Sequence, residues 1–162
     1  MTVIPYRREQ AVDYARRWAL ARNPAYYSFN DIGGDCTNFI SQCVYAGAGV
    51  MNPTPDTGWY YYGPNDRAAA WTGVSYFYRF MTANTGIGPF AAPAEQSELE
   101  PGDVIQLGRE NGEFYHSLLV LERTPTEIYI ASHSQDSLYR PLRSYAYAQA
   151  RYLHFLGVRI YG

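Results

Sequence analysis

The sequence is poor in metal-binding residues. It has two cysteines and three histidines in 162 residues, and they never approach the paired spacing of a structural zinc site. No metal or other cofactor is expected. A disulfide is excluded on similar grounds. Cys36 and Cys43 are seven positions apart, which on one helix means about 10.5 Å along the axis, whereas a bridge needs Cα atoms within roughly 7 Å. Long apolar runs are missing too. No stretch approaches the ~20 residues that cross a bilayer, and the opening MTVIPYRREQ lacks a signal-peptide core. That leaves a cytoplasmic chain or one exported from a longer precursor. There is no basic run and the net charge is −2, so nucleic acid is not an expected partner. Tyrosine, by contrast, is abundant at 17 residues. A phenol offers a flat face and a hydroxyl, which suits a groove that meets polar ligands.

The length fits one domain, 1–162. Residues 6–22 read as an amphipathic helix, with Ala11, Tyr14, Ala15, Trp18 and Ala21 on one stripe and Asn23-Pro24 ending it. A second helix is expected over 36–46, with Phe39, Ile40, Cys43 and Val44 on its apolar face and Gly47 and Gly49 as stop signals. Residues 50–70 read as a long loop around GWYYYGPNDR, 74–82 as a short helix, and 83–98 as irregular. The second half changes character. GDVIQL (102–107), FYHSLLVLER (114–123), TEIYIASHS (126–134) and RYLHFLGVRIY (151–161) are rich in β-branched, aromatic and leucine residues. Helices followed by an antiparallel sheet make an α+β domain.

The stretch GGDCTNFISQC (33–43) holds both thiols. Asp35 is the expected N-cap, which sets Cys36 in the first turn, where open N–H groups and the helix dipole favour a thiolate. Cys43 falls among apolar neighbours and reads as core. A nucleophilic thiol needs a base. His154 has no polar company in its strand and reads as structural, which leaves His116 and His133. If Glu122 pairs with Glu127 across the turn RTPT, His116 falls opposite His133 on one face. Leu119, Leu121, Ile128 and Ile130 then form an aliphatic patch on the other. His116 is the expected base and His133 the residue that orients it, with Asp136 as the rival orienter.

GDCTNFISQCVYAG, PGDVIQL, YHSLLVL and ASHSQDSLYRPL, in that order, resemble the putative amidase domain family. The opening YRREQAVDYARRWALARNP and the central AAAWTGVSYFYRFM extend the likeness over nearly the whole chain. That family sits among the papain-like cysteine peptidases, near the NlpC-type endopeptidases and the CHAP amidases. The resemblance implies a small papain-like fold with the cysteine helix packed on a mostly antiparallel sheet. It implies Cys36 as nucleophile, His116 as base and His133 as the third polar residue. The substrate class it suggests is the peptide stems of peptidoglycan, or other short peptides. The loop residues Trp59, Tyr60, Tyr61 and Tyr62 are expected to line the groove. Two other readings share these residues: an acyltransferase with the same Cys–His pair, and an inactive peptide- or glycan-binding module.

Overall fold

The structure, a computed structural model, describes residues 1–30 and 34–162. Gly33, the first glycine of the cysteine motif, lies outside them. The domain is α+β and its sheet is antiparallel throughout. Strand β1 (Thr2–Ile4) and helix α1 (Arg8–Trp18) open the chain, and helix α2 (Cys36–Ala48) follows. A small hairpin, β2 (Tyr61–Gly63) and β3 (Asp66–Arg67), leads into α3 (Ala69–Thr72) and α4 (Val74–Ala83). The rest is mainly strand: β4 (Gly88–Ala94), β5 (Val104–Gly108), β6 (Phe114–Arg123), β7 (Ile128–Ser132), β8 (Ser137–Pro141) and β9 (Gln149–Ile160). The sheet order is β1-β9-β5-β6-β7-β8, with β4 also paired to β9.

The helices pack on one face of this sheet. Phe39, Ile40, Cys43 and Val44 of α2 are fully buried in a cluster with Ala11 and Ala15 of α1 and with Leu119, Leu121 and Ala131 of the sheet. Helix α2 ends at Gly49, whose φ of 75° is the left-handed cap that favours glycine. Gly47 stays inside the helix. The opposite sheet face has its own apolar cluster around Ile105, Leu118, Val120 and Ile130.

Three expectations fail here for physical reasons. Helix α1 stops at Trp18, well short of Asn23-Pro24. Residues 88–94, expected to be irregular, form β4; with Pro89 and Pro93 it pairs only to β9, as an edge strand can when its N–H groups are not needed on both sides. The register of β6 and β7 also differs. Leu119 pairs with Ala131 and Val120 with Ile130, then a shift leaves Glu122 opposite Tyr129. Continued past Ala131, this register sets His133 level with Ser117, not His116. The supposed aliphatic patch divides accordingly: Leu119 and Leu121 face the helices, while Ile128 and Ile130 lie on the other side.

Candidate active site

Helix α2 starts at Cys36. Gly34 precedes it with φ of 94°, and a side chain there would also press on Ser134 Oγ, so alanine is disfavoured twice over. Asp35 does not cap the helix. Its carboxylate makes no bond to the first-turn N–H groups. Instead Oδ1 accepts from Phe29 N at 2.9 Å and Asn38 Nδ2 at 2.8 Å, and Oδ2 accepts from His133 Nδ1 at 2.6 Å. The Asp35 N–H donates to Ser134 Oγ at 2.9 Å. The result is a pinned helix start whose first-turn N–H groups carry no side-chain cap.

The Cys36 sulfur lies against β6. It is 4.0 Å from the Tyr115 carbonyl and 3.8 Å from Thr37 Oγ1. Burial pushes this thiol up, and the nearby Asp35 carboxylate adds to the effect. N–H groups of Ser117 and Thr37 and the Thr37 hydroxyl oppose the rise without overcoming it. Burial thus outweighs the hydrogen bonds that favour a thiolate at Cys36 in the free protein, where ionisation was expected. His116 changes in the matching direction. Burial, followed by the Arg140 charge, lowers it from 6.5 to about 4. At neutral pH the pair is thus a thiol and a neutral imidazole.

Both groups line one open cleft of about 760 Å³, together with Tyr115, Ser134, Arg140 and Tyr145 among others. Among the described residues no hydrogen bond joins Cys36 to His116, a separation common before substrate tightens a site. Ser117, between β5 and α2, bonds Thr37 Oγ1 at 3.0 Å and accepts from Gln106 Nε2 at 3.2 Å. These contacts brace the thiol turn against the strand that carries His116.

His133 is not paired with His116. The register turns it to the helix face, where it stacks on Phe39 with ring centroids 4.0 Å apart. Its Nδ1 holds Asp35, and its Nε2 lies 2.8 Å from the Trp18 carbonyl. Asp136 is committed as well: both of its oxygens accept from Arg22 at 2.9 Å. The two expected orienters therefore belong to a network that anchors the residue before Cys36. Burial alone would raise the Asp35 carboxyl, but hydrogen bonds from His133, Phe29 N–H and Asn38 outweigh it and hold the group below the usual carboxylate value. Its stabilising effect is present above that usual value and is lost as pH falls through the lowered one. Asp35→Asn leaves a buried histidine N–H facing an amide. It is expected to cost about 1–3 kcal/mol at neutral pH, a drop of roughly 5 °C in melting temperature, with a flatter stability profile below pH ~4. Thermal melts across pH check this, and a melting temperature equal to wild type would refute it.

The family model described as a putative amidase domain matches residues 5–156. The chain belongs to the putative amidase domain family. It is similar to two proteins of Bacillus subtilis (strain 168), the uncharacterized proteins YhbB, 37% identical over 73% of this chain, and YjcM, 28% identical over 81% of it. The chain spans about a third of their length, 38% and 31% respectively. No solved structure matches. The family description points to hydrolysis of an amide bond.

Within this putative amidase domain, contrary to the expectation, none of the aromatic run is among the described residues that line the cleft. Trp59 is fully buried against Trp71, with centroids 4.8 Å apart, and donates to Ser41 Oγ. Tyr61 is buried and accepts from the Tyr27 N–H, Tyr60 is buried, and Tyr62 is exposed beside it. The tyrosines that do reach the cleft are Tyr115 and Tyr145. His154 has polar company after all, 2.8 Å from the buried Asp103 carboxylate. Sequence reasoning missed Arg140 and Tyr145. The only signal was the stretch SQDSLYRPL, whose turn residues Ser134 and Gln135 and strand residue Tyr139 all have positive φ and break the alternation that marks a strand.

Proposed function

We propose that this domain hydrolyses an amide or peptide bond in a short peptide, peptidoglycan stem peptides included, through a thioester on Cys36, as in papain-like enzymes. The observation that carries the reading is the convergence of Cys36, at an uncapped helix start, and His116 in one open cleft. The neutral pair sets the order of events. His116 takes the Sγ proton as sulfur bonds the carbonyl carbon, so charge appears only once substrate is present. The oxyanion faces first-turn N–H groups of α2. The imidazolium then gives its proton to the leaving amine. Water, deprotonated by His116, attacks the thioester, releasing the carboxylic acid and restoring the thiol. His133 and Asp35 are positioning residues in this scheme.

Product analysis tests it. A panel of acylated dipeptide amides incubated with the protein is expected to yield free acid and amine in equal amounts. Added hydroxylamine should divert acyl groups to hydroxamate without raising total turnover more than a few-fold. Amine-dependent product with no free acid would mark an acyltransferase. No conversion across a broad panel, with binding retained, would favour the inactive module.

A further inference from the structure

We propose that Arg140 is the specificity residue of the cleft and that the substrate cleaved at Cys36 carries a carboxylate which seats on its guanidinium. This rests on the amide-hydrolase reading and names the substrate class within it: peptides with a free chain end or an acidic side chain close to the scissile bond.

Arg140, on β8, lines the same cleft as Cys36 and His116. Its guanidinium lies over the Tyr145 ring, 3.6 Å from the centroid. Nε donates to Ser144 Oγ at 2.7 Å and Nη2 to the Ser144 carbonyl at 3.2 Å. These contacts fix the plane of the group. No Asp or Glu among the described residues forms an ion pair with it, whereas Arg22, across the β7–β8 turn, is matched by Asp136. None of the described lining residues is acidic; the other polar ones include Asn30, Ser134 and Gln135. A planar cation held by stacking and with Nη1 unengaged among the described residues is the arrangement that recognises carboxylate.

The wall bearing Arg140 is also built under strain. Ser134, Gln135 and Tyr139 hold φ of 63°, 74° and 55°, a conformation that persists in non-glycine residues only where surrounding contacts impose it. Ser134 bonds the Asp35 N–H, so the wall is fixed relative to the thiol. The Arg140 charge already disfavours protonation of His116. An anion seated on Arg140 removes that opposition, so the base gains proton affinity when the substrate is in place.

Thiol-directed probes test the proposal without needing turnover. Chloroacetyl-glycine, chloroacetyl-β-alanine and chloroacetyl-γ-aminobutyrate are each compared with their carboxamides. Chloroacetyl-glutamate 1-amide is compared with chloroacetyl-glutamine amide to separate side-chain from chain-end carboxylates. Intact-mass spectrometry gives the alkylation rate of Cys36. At one spacing the carboxylate is expected to react about tenfold faster than its amide, an advantage that shrinks at high salt and vanishes in Arg140→Gln, with Arg140→Lys in between. Wild-type ratios near one at every spacing would overturn the proposal whether or not the variants fold, as would a preference that survives Arg140→Gln. Hydrolysis of peptides with no carboxylate preference sinks this inference and spares the hydrolase reading. A preference in a protein that hydrolyses nothing sinks the hydrolase reading and the substrate assignment with it, and leaves Arg140 as a carboxylate-binding residue only.

Discussion

Cys36→Ala is expected to abolish amide hydrolysis, by a factor on the order of 10⁵ or more, while the protein stays folded. The size of the effect follows from covalent catalysis: without sulfur there is no thioester, and the remaining N–H groups act on a carbonyl that nothing attacks. The fold survives because the side chain contributes little to it. Its sulfur makes only the long contacts to Thr37 and Tyr115, and although the sulfur is enclosed, the residue is part-buried at the cleft and lies outside the apolar core. Cys43 is the internal control. It is fully buried with Phe39, Ile40 and Val44, so Cys43→Ala is expected to cost about 1–2 kcal/mol of stability through a small cavity and to leave the acyl-transfer step in place. Rate measurements beside thermal melts read both effects. Turnover near wild type in Cys36→Ala would show that the thiol is not the nucleophile.

His116→Ala is expected to lower hydrolysis about 10³- to 10⁴-fold yet to change the alkylation of Cys36 by iodoacetamide only modestly. The contrast comes from the neutral resting pair. Burial pushes the thiol up and holds His116 near 4, so no ion pair exists for the substitution to break. Alkylation in wild type should therefore climb with pH through and beyond the ordinary thiol range, with no plateau between about pH 4 and 8. Hydrolysis should persist on the acid side until His116 is protonated near 4. A fast alkylation plateau from acid to neutral pH, lost in His116→Ala, would establish the thiolate–imidazolium pair instead. The same histidine leaves a mark on stability. Its folded value lies below the ordinary 6.5, so the unfolded chain binds more protons between 6.5 and about 4. Stability is lost as pH falls through that window, by no more than about 3.4 kcal/mol, and His116→Gln removes this slope.

The helices and strands with clear periodicity were legible in the sequence. Helix α2 begins at the cysteine that the motif marks, and β6 spans the residues its composition suggests. Two kinds of feature were not legible. One is register: the shift near Leu121 has no local signature, yet it decides which face His133 takes. The other is competition for a side chain. Asp before a helix reads as a cap, but a partly charged network from the far end of β7 makes a better partner for Asp35 than the helix N–H groups do. Arg140 escaped notice for a related reason. Its strand is irregular, and only the folded chain places it across from Cys36. Burial of the thiol likewise depends on tertiary packing, which reasoning from the helix start alone leaves out.

The most direct test of the account is to look for the covalent intermediate. Wild-type protein mixed with a cleaved substrate from the dipeptide panel is quenched in acid within milliseconds and analysed by intact mass and peptide mapping. The account predicts an adduct equal to the acyl portion of the substrate, confined to Cys36, sensitive to hydroxylamine and absent from Cys36→Ala. Steady turnover with no acyl adduct on Cys36, and with the same rate in Cys36→Ala, would contradict it.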